Sequence, residues 1–349
     1  MKKNKPFLIA EISANHCGSL GLAKKLILCS KIHGADAVKI QTYTADTMTI
    51  NSQKKYFKIK SGIWKGYNLW ELYNEAQTPL AWHKELFKYA KSIGIKIFST
   101  PFDESAVDFL EKLDCPMYKI SSFEMTDLLL IKKVAKTKKP IVISTGMATL
   151  EEIDEAYEVA KKYGAKDITL LYCVSNYPSK IHEFNLNNIK ILKERFKCTI
   201  GLSDHSTNNI VAICAIASGA EVIEKHVALE GQTKGLDIKF SLKGKEIKNF
   251  RKDIDSAYSL LGSRKFFINN KENQSRKLRR SIFAIKDIKK GEFFTKANIK
   301  RIRPGHGLPP KYYNLLMNKK SINYIKKEEP VKIKFLSKNF FNKKNDKIS

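Results

Sequence analysis

An eightfold alternation of short apolar runs with amphipathic segments is the feature that most constrains the fold of this chain. The runs are apolar on both faces, as is typical of buried parallel strands, and several intervening segments have helical spacing and end at a glycine. Eight strand–helix units within roughly 260 residues predict an α/β fold, a (β/α)8 TIM barrel. The predicted strands are Phe7–Ile12, Ala37–Gln41, Ile95–Ser99, Met117–Ile120, Pro140–Ser144, Ile168–Cys173, Thr199–Ser203 and Val222–His226.

A doubly wound open sheet is the competing architecture. It would normally carry a glycine-rich phosphate-binding fingerprint directly after the first strand. The segment at that place, residues 13–18, reads SANHCG and does not match the fingerprint. The closed barrel is therefore the more economical interpretation.

The composition of the chain changes after Leu261 and indicates a second domain. We predict a barrel over residues 1–262, a charged linker over 263–280, a small β-rich domain over 281–340 and a frayed tail over 341–349. Short apolar runs separated by glycine and proline suggest the β-rich character. Within the barrel, an aromatic-rich insertion of residues 42–77 follows the second strand, and we expect it to pack as a lid.

The chain of 349 residues carries 64 Lys and Arg against 35 Asp and Glu, a formal net charge of +29. The lysines are spread along the chain without a nucleic-acid-binding motif, so nucleic acid is not expected as the primary partner. A basic field would also attract an anionic small substrate. The longest mostly apolar run, 210–223, contains Glu221 and is too short for a membrane span. Six scattered cysteines suit reduced thiols in the cytoplasm.

Two histidines are placed to share one site. In a (β/α)8 barrel the active site lies at the carboxyl ends of the strands, and His205 and His226 follow or end the seventh and eighth strands. Two imidazoles beside carboxylates make a divalent-metal site. The alternative is one structural histidine and one surface histidine. We expect Asp204 to orient His205 or to cap the next helix.

Two strand-end lysines, Lys39 and Lys119, would form an anion cradle with the hydroxyl groups around the same mouth. A lysine in such a place can instead reach solvent, or can form a Schiff base without a metal. Glu11 and Glu124 are candidate acid–base or substrate-binding carboxylates, or else ion-pair partners of the lysines. The candidate hydroxyl groups belong to Ser122, Ser144, Ser175, Tyr177 and Ser203.

Seven motifs, in chain order, resemble the sialic acid synthase family: AEISANHCGS, KIQTYT, FSTPFD, YKISSFE, STGMAT, GLSDHS and VIEKH. Two later motifs, DIKKGE and IRPGHG, resemble the antifreeze-like (SAF) domain of that family. The resemblance covers about Phe7 to Leu336. Within the family, the segment GIWKGYNLWELYNEAQTPLAWH resembles the pseudaminic acid synthase branch.

The resemblance implies a TIM barrel followed by a SAF domain, a domain-swapped homodimer and a divalent cation such as Mn²⁺, Mg²⁺ or Co²⁺. It implies condensation of phosphoenolpyruvate with an open-chain amino sugar, which in this branch is 2,4-diacetamido-2,4,6-trideoxy-L-altrose. The alternatives are the precursors of N-acetylneuraminate and legionaminate. More remote alternatives are a Schiff-base aldolase and a basic nucleic-acid-binding protein.

The resemblance also assigns roles to residues of this chain. His205 and His226 would bind the metal, and Glu11 would lie at the reacting centre. Arg303, from the small domain of the second protomer, would reach the sugar. Ser175 stands where the N-acetylneuraminate branch has an asparagine that contacts the phosphate side. Phosphoenolpyruvate would be held by Lys39, Lys119, Ser122, Ser144 and Ser203, and the sugar side would be lined by Gln41, Glu124, Tyr177 and Asp237.

Overall fold

The computed structural model describes residues 5–263, 265–337 and 340. The chain divides into two compact units, Met1–Gly262 and Ser263–Ser349. The predicted tail, 341–349, lies outside the described residues. Within the described residues, no helix has both the length and the apolar character needed to cross a membrane.

Eight parallel strands of the first unit close into a barrel, which confirms the predicted fold and rejects the open sheet. Each strand pairs with the next, and the first also pairs with the eighth, so that Glu11 lies in register with both Lys39 and His226. A short ninth strand, β9 (Leu242–Lys243), pairs with the end of the eighth. The barrel strands are β1 (Phe7–Glu11), β2 (Ala37–Thr42), β3 (Lys96–Pro101), β4 (Tyr118–Ile120), β5 (Ile141–Ser144), β6 (Ile168–Cys173), β7 (Thr199–Asp204) and β8 (Val222–Ala228).

Helices surround the barrel, and many begin where a polar side chain accepts a hydrogen bond from the first turn. Ser19, Asp103 and Asp127 act in this way, and Thr149 forms a reciprocal capping box with Glu152. The helices of the first unit are α1 (Leu20–Ile32), α2 (Ala45–Met48), α3 (Leu69–Ala76), α4 (Leu80–Ser92), α5 (Glu104–Glu111), α6 (Leu128–Lys136), α7 (Leu150–Lys162), α8 (Asn187–Phe196), α9 (Asn209–Ala217) and α10 (Lys245–Leu261).

The strands separate two environments, because successive side chains of a strand point to opposite faces. On β8, Ile223 joins the apolar core between the strands and the helices, and Lys225 lies over the ring of Phe250 in α10. Glu224 and His226 point the other way, into the barrel. The alternation therefore delivers polar side chains to the barrel mouth while the outer face of the sheet holds the core.

The insertion after β2 carries α2 and α3 and forms its own apolar cluster at the barrel mouth. Tyr43 and Ala76 are buried there, with Phe102 packed against them. The first residue of the insertion is hydrogen-bonded to elements that follow it in the chain. Thr42 Oγ1 lies 2.8 Å from His83 Nε2 of α4 and 2.5 Å from Ser99 Oγ of β3. The insertion is thus a packed structure, as expected, rather than an open loop.

The second unit has a small β-rich core. Strands β10 (Ser281–Ala284) and β11 (Ile299–Ile302) pair antiparallel, and the short helix α12 (Tyr313–Leu316) packs Leu316 into the same cluster. Helix α11 (Asn270–Ser275) lies within the segment predicted as a linker and begins at a capping box between Asn269 and Glu272. That segment therefore has local structure of its own.

Candidate active site

Two buried ion pairs occupy the centre of the barrel mouth. Lys39 pairs with Glu11, and Lys119 Nζ lies 3.7 Å from Glu224 Oε1, while Glu224 Oε2 is also 4.0 Å from Lys39 Nζ. Lys39 and Lys119 are only 3% and 2% exposed. The alternative in which these lysines reach solvent is therefore wrong.

Burial and neighbouring charges set different proton affinities in this group. Burial raises the pKa of Glu11 to about 7 despite the opposing charge of Lys39. Burial alone would also raise the pKa of Glu224. The positive charges of Lys119 and Lys39 outweigh that effect and hold the pKa of Glu224 below its ordinary value. Burial lowers the pKa of Lys119. Glu224 is thus the permanent anion of the group, and Glu11 can exchange a proton near neutral pH.

Hydroxyl groups line the mouth beside the lysines. Lys119 Nζ donates to Ser144 Oγ at 2.6 Å, and the backbone N–H of Gly146 donates to Ser122 Oγ at 3.1 Å. A Cβ at position 146 would lie 2.2 Å from Ser175 Oγ and 2.7 Å from Ser122 Oγ. Only glycine fits there, and the hydroxyl groups, the amide and the lysine make a compact cradle suited to an anion.

The two predicted metal ligands lie side by side, with ring centroids 5.5 Å apart. His205 Nδ1 is 3.1 Å from the carbonyl oxygen of Val174. A carbonyl only accepts, so Nδ1 donates, and Nε2 is the ring nitrogen that a metal ion would bind. Burial acts to lower the pKa of His205, but Cys173 and the Val174 carbonyl outweigh it and raise that pKa, so a metal ion would displace a proton from Nε2. Asp204 instead accepts from Lys225 Nζ and from the Ser206 N–H, both at 2.8 Å. The expectation that Asp204 orients His205 is therefore wrong, because the Val174 carbonyl does so.

The chemistry of this pair fits a divalent cation. Burial lowers the pKa of His226 well below its ordinary value, so its imidazole is neutral and can offer a lone pair. His226 Nδ1 is buried without a hydrogen-bond partner, 3.6 Å from Asp237 Oδ2. Across the described ranges, no group of three or more His, Cys, Asp or Glu side chains is arranged to hold a metal ion. The protein thus offers two imidazoles, and further ligands would have to come from substrate and water.

A cavity of about 450 Å³ opens over the strand ends, within the size range of small-molecule sites. The ring of Tyr177 contacts both His205 and Trp64 of the insertion: its centroid lies 4.4 Å from that of His205 and 5.4 Å from that of Trp64. The four residues predicted on the sugar side all line this cavity: Gln41, Glu124, Tyr177 and Asp237.

Arg303 belongs to the second unit. It is exposed, follows β11 and precedes a cis bond to Pro304. That it reaches the sugar bound by another protomer stays a prediction.

Sequence reasoning missed two residues of the site. Glu224 bridges both lysines and accepts from Ser203 Oγ at 3.0 Å, and Thr100 accepts from Lys39 Nζ at 3.0 Å. Strand alternation could have identified Glu224, since it precedes His226 by two positions and must share its face. The insertion residues that line the cavity carry no such periodic signal.

Comparison with known proteins gives a consistent result. The model of the NeuB family matches residues 26–266, and that of the SAF domain matches residues 279–337. A pseudaminic acid synthase of Campylobacter jejuni subsp. jejuni serotype O:2 is 46% identical over 322 residues, which cover 92% of this chain and 94% of that protein. An N,N'-diacetyllegionaminic acid synthase of the same organism is 38% identical, over 94% of this chain and 99% of that protein.

Solved structures agree with the sequence comparison. The crystal structure of an N-acetylneuraminic acid synthetase from Leptospira borgpetersenii is 29% identical, with a TM-score of 0.70 over 78% of this chain and 90% of that one. The family match covers well over half of the chain and includes every barrel-mouth residue described above except Glu11, which precedes it. This chain belongs to the NeuB family and carries a SAF domain.

Proposed function

We propose that this chain is a metal-dependent synthase that condenses phosphoenolpyruvate with 2,4-diacetamido-2,4,6-trideoxy-L-altrose to give pseudaminic acid and phosphate. The observation that carries the proposal is the meeting of three features at one barrel mouth: an anion cradle, two histidines and a cavity of sugar size. The choice of sugar rests on the higher identity to the pseudaminic than to the legionaminic acid synthase of the same organism, 46% against 38%.

The anion cradle suits phosphoenolpyruvate, which carries a phosphate and a carboxylate. Both lysines are paired with carboxylates, Lys39 with Glu11 and Lys119 with Glu224. Lys39 and Lys119 supply the positive charge that the phosphate and carboxylate groups of this ligand require. Ser122, Ser144, Ser175 and Ser203 would add hydroxyl donors on the same side.

The reaction forms a carbon–carbon bond and, from water, a new carbon–oxygen bond at C2, and it breaks the C2–O bond to phosphate. Of the two protons of the water, one balances the proton taken up by the aldehyde oxygen and the other leaves with phosphate. The enol carbon C3 of phosphoenolpyruvate attacks the sugar aldehyde, and the aldehyde oxygen takes a proton. Positive charge then develops at C2, where water adds, and the C2–O bond to phosphate breaks. Glu11 would accept the proton of that water, since its pKa of about 7 suits a general base at neutral pH. A divalent cation held by His205 and His226 would polarise the aldehyde.

The second unit would complete the site in a domain-swapped homodimer, with Arg303 contacting the sugar of the other protomer. No arginine lines the cavity among the residues that the structure describes. Arg303 is exposed, so it is accessible to a neighbouring protomer. The cell compartment would be the cytoplasm, since all six cysteines are unpaired thiols.

A phosphate-release assay tests the proposal. The enzyme is supplied with phosphoenolpyruvate and, in turn, with the altrose derivative, N-acetylmannosamine and the legionaminate precursor. Release that needs the altrose derivative and stops with EDTA is expected. Release with N-acetylmannosamine but not with the altrose derivative would show that the branch is wrong. Release that survives EDTA and is trapped by borohydride would favour a Schiff base on Lys39 or Lys119.

A further inference from the structure

The cavity at the barrel mouth has one apolar side, which we call the apolar wall: Met48, Leu69, Leu72, Ala76 and Phe102. We propose that the apolar wall selects sugars that end in a methyl group at C6 over sugars that end in a hydroxymethyl group. This inference rests on the proposed function and adds to it the residues that read the far end of the sugar.

The apolar wall lies on different elements from the polar groups of the cavity. Met48 is the last residue of α2, three residues of the wall (Leu69, Leu72 and Ala76) lie on α3, and Phe102 directly follows β3. Most polar groups stand at or beyond the strand ends, on Gln41, Glu124, His226 and Asp237. Tyr43 and Tyr73 also line the cavity, and their phenol groups lie toward the carboxylates of the floor, since burial and the charges of Asp237 and Glu124 raise the pKa of Tyr43 and of Tyr73 respectively. The cavity is thus divided between a polar floor and an apolar wall, and a ligand that spans both must itself be polar at one end and apolar at the other.

Hydrogen bonds hold the apolar wall in place. Trp70 Nε1 of α3 donates to Asp46 Oδ1 of α2 at 2.8 Å, which joins the two helices that carry most of the wall. Trp64 Nε1 donates to the Leu236 carbonyl at 3.1 Å, next to Asp237. The ring of Tyr43, which also lines the cavity, packs edge-on against Phe102 with 5.0 Å between the ring centroids. A wall fixed in this way is formed before the ligand binds, so its shape and polarity can discriminate.

The orientation of the sugar follows from the chemistry at the floor. The aldehyde carbon, C1, must lie beside His205 and His226 to react. C6 is at the opposite end of the six-carbon chain and therefore points away from the floor, toward the apolar wall. A methyl group there is buried against carbon. A hydroxyl group there would lose its water without gaining a strong hydrogen-bond partner from any residue of the wall.

The expected discrimination is moderate. An apolar pocket rejects a ligand that only adds a hydroxyl group by about 100-fold at most. We therefore expect kcat/KM for the 6-deoxy sugar to exceed that for its 6-hydroxy counterpart by about 10-fold to 100-fold. The phosphoenolpyruvate KM should be the same with both sugars, because the anion cradle lies on the other side of the mouth.

Substitutions in the wall test the inference with two sugars that differ only at C6. Met48→Gln keeps the length of a half-buried side chain, Leu69→Gln lengthens one by a single atom, and both add an amide that can bind a hydroxyl group. Each should reduce the preference for the 6-deoxy sugar by about 5-fold or more. Leu69→Met should keep the preference. Ile50→Gln makes the same kind of polar change on an exposed side chain of the insertion, outside the cavity, and should change neither activity nor preference.

The outcomes separate the inference from the function beneath it. A wild-type preference near unity, or an unchanged preference in both Leu69→Gln and Met48→Gln, would overturn the role of the wall. If wild-type protein releases phosphate with neither sugar, the proposed function itself fails. Melting curves of the variants show whether the insertion is still folded, and Met48→Gln supplies the measurement if Leu69→Gln does not fold.

Discussion

Two buried lysine–carboxylate pairs join β7 and β8 to their surroundings, and they differ in tightness. On the outer face, Lys225 Nζ lies 2.8 Å from Asp204 Oδ2 and also donates to the Ser206 carbonyl. On the inner face, Lys119 Nζ is 3.7 Å from Glu224 Oε1. Each ammonium group donates two hydrogen bonds, but the outer pair is in direct hydrogen-bond contact and faces the packed core, whereas the carboxylate of the inner pair lies beyond hydrogen-bond distance at the barrel mouth. The same chemistry therefore serves structure on one face and binding on the other.

Breaking the outer pair should have the largest effect on stability. Lys225→Met leaves the buried carboxylate of Asp204 without its cation, and we expect a loss of about 3–5 kcal/mol in the free energy of unfolding. Urea unfolding measures it. The double variant Asp204→Leu/Lys225→Met removes both charges and should recover much of the loss. If the single and double variants are equally destabilised, charge pairing is not what holds the two strand ends.

Breaking the inner pair should instead reduce activity. Lys119→Met removes a donor from the anion cradle, and we expect kcat/KM to fall about 10²-fold to 10³-fold, the usual cost of losing one electrostatic donor at a reacting centre. Glu224 keeps Lys39 and Ser203 as partners, so unfolding should change less than in Lys225→Met. A loss of stability as large as that of Lys225→Met, with activity retained, would contradict the division between the two faces.

Two buried histidines outside the metal pair provide a pH test of the insertion. Burial lowers the pKa of His16 and of His83 from 6.5 to about 4. Between pH 6.5 and 4 the unfolded chain therefore binds more protons than the folded one, and stability is lost as pH falls through this window. Each histidine accounts for up to about 3 kcal/mol.

The variant His83→Gln should flatten the acid side of the stability profile, measured by urea unfolding at a series of pH values. His182→Gln, at an exposed histidine, is the matched control and should leave the profile unchanged. A wild-type profile that is flat from pH 6.5 to 4 would show that these two side chains are not buried as neutral groups.

Arg303 carries the smallest expected effect and tests the contribution of a second protomer. Arg303→Ala should raise the sugar KM about 10-fold and leave the phosphoenolpyruvate KM nearly unchanged. Co-expression with His205→Ala gives a sharper readout. In a domain-swapped dimer, each mixed dimer holds one fully wild-type site, so about one quarter of wild-type activity should return. If dimers shown to contain one subunit of each variant recover no activity, the exchange of the small domains between protomers is excluded.

Much of the fold could be predicted from the sequence, because the strands are apolar on both faces and the helices begin at polar caps. The strand ends carry the chemistry in such a fold, so Lys39, Lys119, His205 and His226 were accessible to the same reasoning. The partner of His205 was not, since a backbone carbonyl leaves no trace in side-chain identity. The apolar wall could not be predicted either. Most of its residues belong to an irregular insertion, and the path of that insertion in the folded protein decides which side chains face the cavity.

The closed ends of that insertion affect how the family can vary. Thr42 and His83 are linked by a hydrogen bond, so the chain leaves the barrel and returns to it at nearly one point. For a loop whose ends are already joined, doubling its length costs only about 0.6 kcal/mol. The segment between these residues could therefore be exchanged as a unit among relatives. Such an exchange would change which sugar is accepted and leave the catalytic strand ends unaltered.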